Sequence, residues 1–158
     1  MLITSAGSLL AAPFTAVQNG EKFTYKVGFA IFTHAGDITI SGQSDTSTGH
    51  PRIRVTADTK SRGIVRGLYE FDNKAEALID PETGRLLSVH ESGADPKRAT
   101  DSDFVIDYDK RVATYTDRVR PQRSGTVNLP EGGDPLDLIS ALVQTREWNL
   151  KVGEKRAL

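Results

Sequence analysis

Apolar and polar residues alternate through residues 21–32, EKFTYKVGFAIF. An extended strand sends successive side chains to opposite faces of a sheet, so this alternation buries one face and exposes the other. On a helix the same apolar residues would be scattered around the circumference. The spacing therefore predicts a long, half-buried antiparallel strand, with an apolar face made by Phe23, Tyr25, Val27, Phe29 and Ile31.

The same period of two returns along most of the chain. It is clearest in residues 52–59, where Ile53, Val55 and Ala57 alternate with charged and hydroxyl side chains. Residues 33–36 and 80–84 are typical of turns. We therefore expect a mainly β domain, with about seven to nine strands in a single curled antiparallel sheet that approaches an open or spiral barrel. The further strand candidates are residues 37–41, 69–79, 87–89, 104–108, 112–116 and 126–129.

One helix is predicted near the C-terminus, over residues 134–148. Asp134 is a suitable N-cap, Pro135 suits the first helical position, and Asp137 complements the helix dipole. Apolar residues then recur at helical spacing. We expect this helix to pack against the sheet with the face formed by Leu138, Ile139, Leu142 and Val143.

The first nineteen residues, MLITSAGSLLAAPFTAVQN, contain no charged side chain. They resemble the apolar middle and small-residue end of a secretory signal, although the basic start is missing. The segment is too short and too polar to span a bilayer. We interpret residues 1–17 as a remnant export signal or a disordered arm outside the fold, and residues 18–158 as one β-rich domain.

Composition excludes several classes of function. The chain has 158 residues, 20 basic and 21 acidic, with a net charge of -1. A nucleic-acid partner is not expected, because a broad nucleic-acid interface needs a basic excess. The absence of cysteine excludes disulfides, a thiolate nucleophile and zinc sites built on sulfur.

No pattern in the sequence predicts catalysis, a cofactor or a metal. The three histidines lack metal-ligand spacing. Asp134 and Asp137 are three residues apart, but helix capping explains them without acid–base chemistry. No nucleophile elbow, dinucleotide-binding glycine motif or P-loop is present. We expect a protein that is not an enzyme.

One cluster of charge suggests a binding site. Guanidinium groups make bidentate contacts with phosphate or carboxylate groups, so alternating arginines on a loop could contact an anionic headgroup or polymer. The alternative is a solvated loop whose arginines pair with nearby aspartates. The candidate ligand-binding residues are Arg62, Arg66, Arg118, Arg120 and Arg123.

Several ordered landmarks resemble a bacterial envelope family known as domain of unknown function 3108. The resemblance covers residues 20–158 and implies an exported, periplasmic protein, with no catalytic residue to carry over. The family has further strands after the last landmark, so the chain resembles a member shortened at its C-terminus, which could self-associate through an exposed sheet edge. The landmarks are GEKFTYKVGF at residues 20–29, Ala35–Gly36, Ile79–Asp80 with Thr83–Gly84, DPLDLISALVQTR at residues 134–146, and LKVG at residues 150–153.

Three hypotheses of function remain open at this point. The first is a non-enzymatic periplasmic protein that binds an envelope partner or an amphipathic ligand on the concave sheet face. The second is a purely structural element of the envelope. The third is a hydrolase acting on lipid or cell-wall polymer. An apolar cavity would favour the first, and a convergent histidine and carboxylate pair would favour the third.

Overall fold

Antiparallel β-structure dominates the fold. The computed structural model describes residues 14–155 except 48, 96–98, 132–133 and 149; the side chain of Phe29 is also outside the described part. The strands are Lys22–Phe29 (β1), Phe32–Asp45 (β2), Arg52–Ser61 (β3), Asp72–Ile79 (β4), Leu86–Ala94 (β5), Thr100–Asp107 (β6), Val112–Asp117 (β7) and Gly125–Asn128 (β8). The helices are Gly63–Leu68 (α1) and Leu138–Gln144 (α2), with 3₁₀ turns at Pro121–Arg123 and Thr145–Glu147.

All eight strands belong to one sheet, in which each strand pairs with its neighbours in sequence, in the order β1 to β8. Every pairing is antiparallel. The first and last strands are not paired with each other in the described chain, so the sheet is not closed. This confirms the predicted single antiparallel sheet with a helix near the C-terminus. None of the described helices has the length and apolar character to cross a bilayer.

The two faces of the sheet differ as the alternation predicts. On β3, Val55 and Ala57 are buried on one face, and Arg54 on the other face forms an ion pair with Asp45. One row of cross-strand partners follows the apolar face through six strands, and its members are Gly42, Val55, Ala77, Val89, Phe104 and Tyr115.

The core lies on the apolar face, toward the end of the sheet where the β4–β5 turn lies. Ile40, Ile79 and Leu86 are buried there, and Val143 of α2 covers them. These side chains make the largest hydrophobic contribution, each worth roughly 1.5–3 kcal/mol when buried. The sheet, α2 and one further segment, residues 14–20, together enclose this core.

Residues 14–17 belong to the fold, which corrects the expectation that residues 1–17 lie outside it. Phe14, Ala16 and Val17 are 6%, 4% and 1% exposed. The Phe14 N–H donates to the Pro81 carbonyl at 2.9 Å. An uncharged segment rich in small and apolar side chains fits a core as well as it fits a signal, because both need the same low polarity. Residues 1–13 lie outside the described residues.

Arg146 holds this N-terminal segment against the end of α2. Its guanidinium donates to the Ala16 carbonyl at 2.7 Å and to a carboxylate oxygen of Glu21 at 2.5 Å. The same group lies 4.3 Å from the centre of the Phe23 ring. The Glu21 bond also raises the pKa of Arg146 and lowers that of Glu21. One side chain therefore links the N-terminal segment, the first strand and the C-terminal helix.

The C-terminal helix is shorter than the sequence predicts, and Asp137 caps it in place of Asp134. The Asp137 carboxylate accepts from the N–H groups of Ile139 and Ser140, and the Ser140 hydroxyl accepts from the Asp137 N–H. This reciprocal capping box satisfies donors at the first turn, which Asp134 cannot reach. Asp134 accepts a hydrogen bond from Arg85 at 2.9 Å. Leu138, predicted to face the sheet, is 82% exposed.

The first hairpin also turns earlier than predicted. Phe29 pairs with Phe32, so the turn consists of Ala30 and Ile31, and the expected turn at residues 33–36 is part of β2. Ala30 has a φ of 51°, a conformation that non-glycine residues adopt infrequently. Ile31 is 87% exposed. A turn without glycine or asparagine has no local signal in the sequence.

Gly42 allows the N-terminal segment to approach the sheet, which gives a stability prediction. A Cβ at Gly42 would lie 2.3 Å from a Val17 methyl and 2.6 Å from the Gln18 carbonyl oxygen. We expect Gly42→Ala to lower the free energy of unfolding by about 1–3 kcal/mol, because the overlap has to displace this segment. Gly125→Ala, in another strand with nothing near the added Cβ, should change it by less than about 1 kcal/mol. Denaturant unfolding measures both, and equal midpoints would contradict the packing described.

The open edges of the sheet give a second prediction. All four residues of β8 are exposed, and Val127 is 63% exposed. Unpaired strand edges promote pairing with other chains, so we expect self-association to rise with concentration. A lysine on an edge strand opposes such pairing, so Val127→Lys should reduce it. Val105→Lys, at a half-exposed position of an inner strand, is the control. Sedimentation velocity over a range of concentrations measures this self-association. A protein that stays monomeric over the whole range would contradict the prediction.

Candidate functional site: the concave cavity

A cavity of about 510 Å³ lies on the apolar face of the sheet. Its walls come from β2 through β7, and the start of α2 closes one side. In a flat sheet, β2 and β7 would lie about 24 Å apart. Because both strands line one cavity, the sheet has to curl. We call this space the concave cavity. It is lined by Ile38, Thr59, Phe71, Asn73, Ala75, Val89, Glu91, Ser102, Phe104, Tyr115, Asp137, Leu138 and Ile139.

A second space of about 390 Å³, here the adjoining pocket, continues from the concave cavity toward β1. The two share Ile38, Thr59 and Phe71 in their walls. Together they form a trough along the concave face. The other residues of the adjoining pocket are Val27, Ala35, Gly36, Asp37, Lys60, Ser61 and Tyr69.

Phe71, in both walls, is positioned by the backbone that follows α1. Its N–H donates to the Ser61 hydroxyl at 3.0 Å, and its carbonyl accepts from the Ser61 N–H at 2.9 Å. The Tyr69 ring stacks near it, with centroids 6.2 Å apart. Ser61 is only 6% exposed, and its N–H and its hydroxyl are both used in these bonds. The aromatic wall is therefore fixed by the turn between β3 and β4.

Small side chains leave the space open. Ala75 of β4 lines the cavity, between its cross-strand partners Ala57 and Glu91. Its methyl group cannot fill the interior of a curled sheet. The small side chain of Ala75 therefore leaves part of the space between β2 and β7 open.

Glu91 is the one charged strand residue in the wall of the concave cavity. Asn73 donates its side-chain N–H to one carboxylate oxygen of Glu91 at 2.8 Å. This is the only donor to Glu91 among the described residues. The row of cross-strand partners that contains it changes from apolar to polar along the sheet: Phe23, Ile40, Ala57, Ala75, Glu91, Ser102 and Asp117.

Asp137 is the other carboxylate in the wall, and its oxygens already accept hydrogen bonds from Ile139 and Ser140 at the start of α2. Leu138 lies beside it and is mostly exposed. The side chain of Asp137 therefore orders the helix that closes the cavity. Glu91 has a carboxylate oxygen without such a partner in the described chain.

The five arginines predicted as ligand-binding residues line neither the concave cavity nor the adjoining pocket. Arg62 donates to Asp37 at 2.8 Å, and Arg66 makes two bonds to Asp72 at 3.0 and 2.9 Å. Hydrogen bonds from His34 and then Arg62 lower the pKa of Asp37. The hydrogen bond between Arg66 and Asp72 lowers the pKa of Asp72 and raises the pKa of Arg66.

The second arginine group lies on the connection between β7 and β8. Arg118 bridges Asp101 and Asp103, and the Asp101 bond raises the pKa of Arg118. Burial raises the pKa of Asp117, but hydrogen bonds from the Arg120 N–H and guanidinium outweigh it and leave the pKa low. Arg123 has no ion pair in the described chain. The two groups share no carboxylate partner, so the structure does not join them into one site.

The histidines lie away from the cavity. His34 is 2.6 Å from Asp37, and His90 on the polar face is 2.9 Å from Asp103. His50 is in a small polar depression beside the β4–β5 turn. Within the described ranges, no group of three or more histidine or carboxylate side chains is arranged to hold a metal ion.

Neither Glu91 nor Asn73 was predicted as a site residue from the sequence. A signal for Glu91 was available: the apolar positions of β5 run Leu87, Val89 and then Glu91, where a third apolar residue would continue the alternation. A charged residue on the buried face of a strand needs a partner or a function. Asn73 gave no such signal, because its role depends on the pairing of β4 with β5.

The arginines on the β7–β8 connection remain a prediction, and vesicles test it. If they contact anionic headgroups, replacing Arg118, Arg120 and Arg123 with Gln should weaken binding to anionic vesicles at low salt and reduce its salt dependence. Replacing the exposed Lys22, Lys26 and Lys151 with Gln removes the same charge elsewhere and should have a smaller effect. Cosedimentation over a salt series measures both. No binding by the unaltered protein at low salt would mean that this loop makes no headgroup contact and is only solvated.

Comparison with known proteins places the chain in a family. No significant match was found among curated proteins or among solved structures. The family model for DUF3108, described as a protein of unknown function, matches residues 24–158. This match covers the whole sheet after the first two residues of β1, the concave cavity and α2. The chain belongs to the DUF3108 family.

Proposed function

We propose that this protein is a non-enzymatic binding protein of the bacterial envelope, which holds an amphipathic ligand in the concave cavity. One observation carries the proposal: a largely apolar space of about 510 Å³ with a small polar group, Glu91 with Asn73, in its wall. Ligand sites are typically concave, apolar and between about 300 and 1,000 Å³, with a few placed polar groups that orient the ligand.

The arrangement of the two faces supports the same function. The polar face is covered by ion pairs such as Arg54 with Asp45 and Lys74 with Glu76, which favour contact with water. The concave face leaves Phe71, Phe104 and Val89 partly uncovered by other parts of the protein. Covering these side chains with the apolar part of a ligand would be favourable at roughly 25 cal/mol per Å² of buried area.

The periplasmic location is part of the proposal and rests on sequence. The family resemblance implies an exported protein, and the uncharged start of the chain is compatible with export. Fractionation of cells that express the full chain tests it. Recovery with periplasmic marker proteins is expected, and recovery with cytoplasmic markers would overturn this part of the proposal.

Filling the cavity tests the binding function. We expect protein purified from bacteria to carry lipid-like ligand in native mass spectrometry and to enhance Nile red fluorescence. Ala75→Leu should reduce both several-fold, because the larger side chain occupies the cavity. Ala94→Leu, at an exposed position outside the cavity, makes the same substitution and should reduce neither. If the unaltered protein neither carries ligand nor binds Nile red, the binding function is wrong and a structural role in the envelope is favoured.

A further inference from the structure

We infer that the concave cavity selects amphiphiles with a cationic, amine-type head group and places that head group at Glu91. The inference rests on the proposed binding function and specifies its ligand class. It differs from the anionic ligand that the arginine cluster suggested. Its basis is the position of Glu91 in an apolar wall and the absence of basic side chains from the described lining of the concave cavity.

Glu91 is exceptional in its surroundings. Its cross-strand neighbours on the cavity face are Ala75 and Ser102, neither of which carries charge. A glutamate carboxylate is negatively charged at neutral pH, and placing that charge among apolar groups is unfavourable unless it is paired. Asn73 satisfies one oxygen with a neutral amide. An ammonium group from a ligand would supply the opposite charge.

The charged side chains around the cavity also favour a positively charged ligand. The ionisable groups in its wall are Glu91, Asp137 and the Tyr115 hydroxyl. Lys60 lines the adjoining pocket but not the concave cavity. Its neighbour in that wall is Asp37, which is already paired with Arg62. A carboxylate or phosphate in the concave cavity would meet like charge without a described basic partner, which is destabilising.

Apolar side chains flank the polar pair on both sides. Asn73 and Glu91 lie on the neighbouring strands β4 and β5; Val89 and Phe104 lie toward the packed end of the sheet, and Phe71 lies beyond Asn73. An alkyl chain would extend from the polar pair past Phe71 and Ile38, which line both spaces, toward the adjoining pocket. A single chain with one amine head group matches this arrangement, and a large polar sugar head does not.

Three ligands with the same ten-carbon chain test the head group. Isothermal titration below micelle-forming concentrations should show decylammonium binding at least about tenfold more tightly than decanoate, with decanol between them; a charge-assisted hydrogen bond accounts for a factor of this size. If none of the three binds, the proposed function itself fails. If decanoate or decanol binds as tightly as decylammonium, the function stands and the cationic selectivity is wrong.

A matched pair of variants tests the residue. Glu91→Gln keeps the size of the side chain and an oxygen for Asn73, so it should lose the preference for decylammonium over decanol. Glu76→Gln removes the same charge from the polar face, where Glu76 pairs with Lys74, and should keep the preference. Unchanged selectivity in a folded Glu91→Gln protein would overturn the assignment to Glu91. Should that variant fail to fold, the ranking of the three ligands on the unaltered protein still decides the selectivity.

Discussion

The apolar face of an eight-stranded sheet has to be covered, and the described chain has little beyond the sheet to cover it. Two short elements are available, the seven-residue helix α2 and the N-terminal segment of residues 14–20. A wide sheet with one apolar face then lowers its exposed area by curling onto itself. Gly42 and Arg146 fix where the small covering elements meet the sheet, and the remainder of the concave face stays partly uncovered.

The cavity follows from this arrangement together with the small side chain of Ala75 in the middle of the sheet. A large side chain in place of Ala75 would fill part of the space inside the curled sheet. With a methyl group there, the core is packed at the end covered by Val143 and Phe14, and open at the end that contains Glu91. The packed core and the cavity thus lie on different parts of the same face of the sheet. A substitution in the cavity can therefore leave the packed core intact.

Alternation predicted the sheet because period two is a local property: the residues that decide which face of β3 is buried are on β3 itself. Features that depend on contacts between distant residues were missed. The burial of Phe14 requires the β4–β5 turn, and Asp134 is bound by Arg85, 49 residues away, while Asp137 caps the helix. The arginines drew attention as charges, but their carboxylate partners lie mostly on neighbouring strands. For the site, the break in the alternation at Glu91 was visible, whereas the cavity around it exists only once the sheet has curled.

The contact between Arg146 and the Ala16 carbonyl joins residues 130 positions apart, whereas every strand pairing is between neighbours in sequence. Local pairings lose little chain entropy and form rapidly, so the hairpins can assemble one after another as the chain becomes available. The segment of residues 14–17 cannot take its final place until Arg146 is available. A chain that is synthesised or exported N-terminus first therefore keeps Phe14, Ala16 and Val17 accessible until α2 and Arg146 have followed them.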